Sequence, residues 1–558
     1  MWRLTHLALL CLSNFIHAQT EDPPTVDLGY AKYQGAFTDT TNVTSFLGIR
    51  YAAPPVGDLR WRAPTPPPNM MDTQQADTPP PRCHQSSFGA NSRNPFPPAE
   101  DRNLTKRELS DSSEDCLFLN VYHPGDSTPA ENLPVIVWIH GGGYIQGGLP
   151  GYNGGDIISQ SKGGVVVVTI QYRLGLFGFL AGNEVHADGA LNAGLLDQNF
   201  ALRWVNKHIS KFGGDPEQVT IWGESAGAGS VLQHIVAEDG QTSPQLFRGA
   251  ITSSIFLPSQ YAYNDTTPQT LYNQVVDTVD CKSSQDTLKC LREADSSALE
   301  LANEEINLAG FFGTVAFIPV VDGTFIRQRP TQALKEGKVN GNAMLSVHNT
   351  NEGNVFDHET STPLNASQYA AELFPKLTPQ DVATVAKLYA GLGSDRAQGN
   401  LIMGECLSHL LVYVAYPTYE PFKAIFICPK YTFANAFDNH TYMGEFAISP
   451  AIHGQDLLYY WPSLATTLPE VPSSTFNNTD FINAFAQSFV SFAISLDPNI
   501  KVDPSNITPQ WDLYHLANNE MVFNKTANDL PDVRPAKKER NFLERCSFWE
   551  SVSARTGQ

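Results

Sequence analysis

Apolar residues gather along this chain in short unbroken runs, separated by turns and by longer stretches with helical spacing. Leu133 to His140 (Leu-Pro-Val-Ile-Val-Trp-Ile-His) and Gly164 to Tyr172 (Gly-Val-Val-Val-Val-Thr-Ile-Gln-Tyr) are continuous apolar runs of strand length, the pattern of strands buried on both faces of a parallel sheet. Val219 to Trp222 and Met344 to His348 read as further strands. Between Leu191 and Phe212 the residues Leu195, Leu196, Phe200, Leu202, Trp204, Val205 and Ile209 recur at helical spacing, and Phe212-Gly213-Gly214-Asp215-Pro216 ends the run. A second helical stretch extends from Ala226 to about Val236. This rhythm predicts an α/β fold with a large, mixed, mainly parallel sheet flanked by helices. The Pro-rich stretches at Pro64–Pro68 and Pro79–Pro81 are too short to separate independent halves, and no internal repeat appears, so one large domain is expected.

The N-terminus bears on compartment. Met1-Trp2-Arg3 is a short positive start, Leu4 to Ile16 is mostly apolar, and Ile16-His17-Ala18 ends in a small residue, so residues 1–18 read as a signal peptide cleaved after Ala18, leaving 19–558. The stretch is too short to span a bilayer, and nothing later reads as an integral membrane segment. Asn-x-Ser/Thr sequons at Asn42, Asn103, Asn264, Asn365, Asn439, Asn477, Asn506 and Asn524 agree with export as a glycoprotein. Of eight cysteines, Cys11 falls in the leader, so the remaining odd number leaves at least one thiol without an intramolecular partner. The C-terminus carries neither an apolar anchor tail nor a retention signal, and a secreted, extracellular protein is expected. The net charge of -21 argues against nucleic acid, because phosphate binding needs a positive field.

Gly223-Glu224-Ser225-Ala226-Gly227 reads G-x-S-x-G. Chance alone supplies such a match in roughly one chain of this length in five, so context decides its value. Here it falls between a strand and a helix, where a sharp turn presents a serine hydroxyl above the sheet edge. A hydroxyl needs a base to take its proton, and the base needs an acid to orient it, in the chain order serine, acid, histidine. Asn349-Thr350-Asn351-Glu352-Gly353 follows a strand and makes Glu352 the candidate acid; Asp357 is a weaker alternative, and Asp322 in Val320-Val321-Asp322-Gly323 reads as a turn residue. Among the later histidines, His409 lies in the apolar run Leu407 to Val414, His440 lies inside a sequon, and His358 is too near Glu352 in sequence. His453, beside Gly454, is preferred to His515 as the base. His140-Gly141-Gly142-Gly143-Tyr144 follows a strand directly and offers bare N–H groups, so Gly142, Gly143 and Ala226 are the candidate oxyanion donors.

At this point the chain resembles the type-B carboxylesterase and lipase family, cholinesterase-like α/β-hydrolases, and most of all its secreted fungal members. Phe212 to Gly227 is similar throughout to the family's serine signature, and Glu114-Asp115-Cys116-Leu117-Phe118-Leu119-Asn120-Val121 to its second signature. Further landmarks are Phe46 to Pro55, Tyr172-Arg173-Leu174-Gly175, Asp197-Gln198, Pro319 to Gly323 and Arg545-Cys546-Ser547-Phe548-Trp549, so the likeness runs from about Gly29 to Trp549. The resemblance implies an α/β-hydrolase fold, a Ser225-Glu352-His453 triad, hydrolysis of a small-molecule or lipid ester through an acyl-enzyme, and no metal or organic cofactor. It favours glutamate as the acid. It also implies disulfides Cys83–Cys116, Cys281–Cys290 and Cys428–Cys546, with Cys406 as the free thiol.

Two departures stand out. Where many relatives have a glycine after the strand Ala250 to Ser253, this chain has Ile255, which predicts a reshaped pocket wall. The loop from Cys83 to Cys116 contains Phe88 and Phe96 but no tryptophan, so a cation–π site for choline is not expected. Two other readings use the same residues or lose their use: a transesterase or acyltransferase acting on a specialised natural product, and a non-catalytic binding protein.

Overall fold

The computed structural model describes residues 23–91, 112–130, 132–355, 363–403, 428–432, 436–437, 440–466 and 476–558. Its centre is an eleven-stranded sheet. In chain order the strands are β1 (Ala36–Thr38), β2 (Val43–Arg50), β3 (Phe118–Pro124), β4 (Leu133–Ile139), β5 (Val166–Ile170), β6 (Gly214–Glu224), β7 (Gly249–Ser253), β8 (Ala343–Asn349), β9 (Thr441–Phe446), β10 (Glu520–Lys525) and β11 (Pro531–Ala536). Across the sheet they lie in the order β11-β10-β9-β8-β7-β6-β4-β5-β3-β2-β1. Pairings from β5 through β10 are parallel, and antiparallel strands close both edges. A separate three-stranded sheet holds Thr25–Asp27, Lys32–Gln34 and Thr73–Gln75.

The unbroken apolar runs have a simple cause. Along β4, Val135, Val137 and Ile139 enter one core while Ile136 and Trp138 enter a second core on the other face. Strand β5 divides in the same way, with Val166, Val168 and Ile170 on one side and Val167 on the other. A strand buried on both faces has no polar side to show, so alternation disappears from its sequence. Helices α1 (Ala193–His208) and α2 (Ala226–Val236) send Leu195, Leu202, Val231 and Ile235 into the first core. The second is covered by α3 (Thr479–Ser495), whose Phe489 stacks on Trp222 of β6 at 4.9 Å.

The expected strands and helices are present, with one difference. Strand β6 starts at Gly214, so Asp215 and Pro216, read as part of a helix stop, already belong to the strand; its register with β4 shifts between Leu133 and Val135, which accommodates the proline.

Several sequence landmarks are charged pairs within this frame. Arg173 grips Asp197 through two bonds of 2.7 Å, both side chains buried. Arg60 donates to Glu114 at 2.9 and 3.0 Å and Arg50 to Asp115 at 2.5 and 2.8 Å, which ties the Glu114-Asp115 segment to the strand β2 region. Asp322 is the turn residue expected, accepting from Thr324 N–H at 2.7 Å and from Asn192 Nδ2 at 2.6 Å. Among the sequons, Asn42, Asn264, Asn365 and Asn477 are exposed and Asn524 is half-buried. Asn506 departs from the expectation of a surface acceptor: its amide nitrogen, where a glycan would be joined, turns inward and donates to Asn483 O at 2.9 Å and Gln487 Oε1 at 3.3 Å. Asn103, Asn439 and residues 1–18 lie outside the described residues.

Three disulfides are present, Cys83–Cys116, Cys281–Cys290 and Cys428–Cys546; Cys406 lies outside the described residues. They span 33, 9 and 118 residues. Chain-entropy loss grows with the loop closed, giving about 3.7, 2.6 and 4.9 kcal/mol respectively. Replacing both cysteines of each pair by alanine should therefore lower unfolding free energy most for Cys428/Cys546 and least for Cys281/Cys290, measured by urea denaturation of the three double variants.

Candidate active site

The parallel strands end at one edge of the sheet, and the candidate residues collect there. Strand β6 stops at Glu224 and α2 begins at Ala226, which leaves Ser225 at φ 57°, ψ -123°, a conformation that costs a residue with a side chain a few kcal/mol. The surroundings hold it. Ser225 N–H donates to Ser253 O at 3.0 Å, and its carbonyl accepts from Gly229 N–H at 2.8 Å and Phe256 N–H at 3.2 Å. The flanking glycines are a steric requirement of that turn. A Cβ on Gly223 would lie 2.4 Å from the Gly227 carbonyl carbon, and one on Gly227 would lie 2.0 Å from Ile139 O.

The glycines after β4 form the facing wall. Gly142 and Gly143 have φ of 98° and 64°, and a Cβ on them would meet Gln146 O at 2.3 Å and the Phe88 ring at 2.6 Å. A Cβ on Gly141 would lie 2.9 Å from that of Ser225, so this loop runs alongside the serine. No acceptor among the described residues takes the N–H of Gly142, Gly143 or Ala226. His140 is fixed at the base of the loop, stacked on Tyr172 at 4.6 Å, and burial lowers its pKa to about 4, so it stays neutral.

His453 and Glu352 come from the ends of other strands. Strand β8 ends at Asn349 and turns through Glu352, while the loop after β9 carries His453 and is tied to the first turn by a bridge between Asn351 and Ile452. His453 Nδ1 lies 2.6 Å from Glu352 Oε2. The other carboxylate oxygen accepts from Ser254 Oγ and from Asn349 N–H, each at 2.6 Å. Asn349 Nδ2 reaches Ser254 Oγ at 3.2 Å and Asp456 Oδ1 at 2.7 Å, and Asp456 Oδ2 accepts from Tyr460 OH at 2.8 Å. On the far edge of the ring, Nε2 lies 3.2 Å from Glu224 Oε1. One imidazole thus sits among three buried carboxylates.

Burial and charge shift these groups in opposite directions. Burial pushes Glu224 up to about 8, with Asp456 and Glu352 adding to the rise and His453 opposing it. Asp456 is raised by burial to about 6. Burial of His453 acts to lower its pKa, but the carboxylates of Glu224, Glu352 and Asp456 outweigh it and raise the ring to about 9.

The other histidines and acids lie elsewhere. His440 precedes β9 and shares a cleft with His515 at the opposite end of the strands. Asp357, His358, His409 and Phe96 lie outside the described residues. Ile255 is buried in the core, and the neighbouring Phe256, not Ile255, lines the cavity next to Ser225. Four participants carried no role in the sequence reading: Glu224, Ser254, Asn349 and Asp456. Glu224 and Asp456 were visible as acids one position before Ser225 and three after His453, whereas Ser254 and Asn349 gain meaning only from contacts across strands. A separate group, His348, Glu445 and Glu520, has the donor set of a cation site. Its cation is a lysine: Lys430 Nζ lies 2.6 Å from His348 Nδ1 and 2.9 Å from Glu520, and Lys538 pairs with Glu445 at 2.5 Å.

The match to the carboxylesterase family model covers residues 22–549. The chain belongs to the carboxylesterase family. Lipase 4 of Diutina rugosa is 32% identical over 483 residues, covering 82% of this chain and 84% of that protein. Secreted lipase 1 of Botryotinia fuckeliana is 30% identical over 494 residues, 82% of each. The crystal structure of Aspergillus niger EstA, 30% identical, superposes with a TM-score of 0.78 over 96% of this chain and 99% of its own. The carboxylesterase described here is accordingly an α/β-hydrolase and a carboxylic-ester hydrolase.

Asp456 offers a direct check on the electrostatics of this site. A carboxyl whose folded pKa is about 6 against an ordinary 3.8 favours folding fully below pH 3.8, and that advantage is lost as pH rises to 6. Asp456→Asn keeps the shape without the charge, so the variant should gain about 2 kcal/mol on the wild type between pH 4 and pH 7, measured by urea unfolding at both values.

Proposed function

We propose that this carboxylesterase hydrolyses carboxylic esters through an acyl-enzyme, with Ser225 as nucleophile, His453 as base and Glu352 as the acid that orients it. The observation that carries the reading is the 2.6 Å contact between His453 Nδ1 and Glu352, which turns the Nε2 edge of the ring toward the Glu224-Ser225 turn. His453 Nε2 takes the Ser225 proton as Oγ attacks the ester carbonyl. The oxygen that becomes negative is received by the N–H groups of Gly142, Gly143 and Ala226, each worth on the order of 10²–10³ in rate. His453 then hands the proton to the departing alcohol. Water repeats the sequence on the acyl-serine and releases the acid. Every proton moves through the chain's own groups.

Export fits the same reading. Three disulfides are the chemistry of an oxidising compartment, and two relatives of similar sequence carry the names Secreted lipase 1 and Secreted triacylglycerol lipase LIP1. We infer a secreted glycoprotein, with Asn42, Asn264, Asn365 and Asn477 as its accessible glycan acceptors.

Ser225→Ala should lower hydrolysis of p-nitrophenyl butanoate at least about 10⁴-fold and abolish labelling by a fluorophosphonate. Undiminished turnover in that variant would discard the assignment. Glu224→Gln removes the carboxylate facing Nε2, so the ring loses part of its raised proton affinity. The acidic limb of the kcat/KM profile should move to lower pH, and a limb that stays in place would show that Glu224 does not act on the base.

A further inference from the structure

We infer that Gln85 is a positioning residue for the oxyanion hole: its side-chain amide pairs with the backbone of Gly147 and so fixes the glycine loop whose N–H groups receive the negative oxygen. The inference rests on the acyl-enzyme reading above and names a residue on which its electrostatic half depends.

Backbone N–H groups stabilise a developing charge only if they already point at its position before the reaction begins. Glycines permit that close approach but supply no stiffness, because they have the widest conformational choice of any residue. The loop from His140 to Gly143 must therefore be held by its surroundings. Part of the hold is local. The Gly142 carbonyl accepts from Ile145 N–H at 3.0 Å and from Gln146 N–H at 2.8 Å. In a planar trans peptide the N–H points away from the carbonyl, so catching the Gly142 oxygen inside the turn sends the Gly143 N–H out of it.

The far end of that turn is closed by another segment. Gly147 N–H donates to Gln85 Oε1 at 2.7 Å, and Gln85 Nε2 donates back to Gly147 O at 3.0 Å. One side-chain amide thus satisfies both backbone groups of one residue, as a neighbouring strand would. Gln85 Nε2 also donates to Cys83 O at 2.6 Å, which fixes the amide plane. Gly147 in turn lies against the base of the glycine loop, where a Cβ on it would stand 2.3 Å from His140 Nδ1 and 2.6 Å from Gly141 O. A displacement of Gly147 is therefore passed to His140 and Gly141, and through them to the donors that follow.

The segment that carries Gln85 is anchored in its own right. Cys83, two residues earlier, is bonded to Cys116. Ser86 Oγ donates to Asn303 O at 3.1 Å, and Ser87 donates to Glu304 through its N–H at 2.8 Å and its Oγ at 2.6 Å, both partners lying in the helix Ser296–Leu308. Two further bonds lace the same segment to the turn, Ser86 N–H to Ile145 O at 2.9 Å and Gln146 Nε2 to Ser86 O at 2.8 Å. Among the described residues Gln85 bonds to neither Ser225 nor His453, so its effect on rate passes through the loop. A site held by supports of this kind keeps its donors within the narrow geometry that catalysis needs.

The test uses the full-length protein with p-nitrophenyl butanoate, the active serine being titrated with a fluorophosphonate. Gln85→Met keeps the length of the side chain and removes its hydrogen bonds. Expected is a kcat per titrated serine at least about tenfold lower with KM within about twofold, the signature of an interaction made chiefly at the charged intermediate. An alkyl trifluoromethyl ketone, which takes up the Ser225 hydroxyl as a hemiketal oxyanion, should lose affinity by the same factor, while the corresponding methyl ketone should bind as it does to the wild type. Gln146→Met, which removes only the bond to Ser86 O, should show the same pattern at smaller size and carries the test if Gln85→Met does not fold. An unchanged kcat per titrated serine in the folded variant, even with a lowered melting temperature, or an equal loss of affinity for both ketones, would overturn the inference while leaving ester hydrolysis intact. Absence of both hydrolysis and Ser225 labelling in the wild type would instead remove the acyl-enzyme reading beneath it.

Discussion

The backbone of helix α2 lies so close to strand β4 that nothing larger than hydrogen fits between Gly227 and the carbonyl of Ile139. That approach closes the turn at Ser225, and the closed turn sets everything beside it. It forces the serine to a positive φ, lifts its side chain off the sheet edge, and brings the Ala226 N–H next to the glycines that follow β4. Backbone strain of this size persists only where neighbours over-determine the geometry. Here they are the bonds to Ser253 O, Gly229 N and Phe256 N, which fasten the turn to the next strand and to the cavity wall together.

Electrostatics imposes the second constraint. Packing Glu224, Glu352 and Asp456 around one imidazole crowds three acids in a water-poor site, and the fold tolerates it by giving Glu352 and Asp456 fixed hydrogen-bond donors while burial favours the neutral form of Glu224. Glu352 receives two donors of 2.6 Å besides the ring, and Asp456 receives Asn349 and Tyr460. The ring consequently has a raised proton affinity, and it is held by its Nδ1 edge against Glu352 with its Nε2 edge toward Glu224.

Much of this was legible before any coordinates. Runs such as Val135 to Ile139 announce two-sided burial because a central parallel strand has no solvent face, and the G-x-S-x-G glycines announce a tight turn because their missing side chains are a steric need. Glu352 could be chosen because it follows a strand-like run, and His453 because it comes later in the required order, beside a glycine, where the other histidines lie in less suitable settings. What escaped was relational. Asn349 matters because its amide bridges Ser254 and Asp456 across strands, and no spacing in the sequence records that bridge. Ile255 drew attention as a departure from the family pattern, yet the wall beside the serine is built by the next residue, since the chain at Ser254 turns at φ 57° and directs Ile255 into the core. Asn506 shows the same limit: a sequon specifies chemistry, while burial decides whether its nitrogen is reachable.

The distance along the chain between these groups has a consequence for biosynthesis. Glu352 and His453 stand 101 residues apart, and both follow Ser225. A chain growing from its N-terminus completes the serine turn and the amide-lined wall long before the loop bearing the imidazole has been made. On the proposed mechanism the hydroxyl has no base until that loop emerges and docks against β8. A chain still growing between Glu352 and His453 is therefore, on the proposed mechanism, a serine turn without its base.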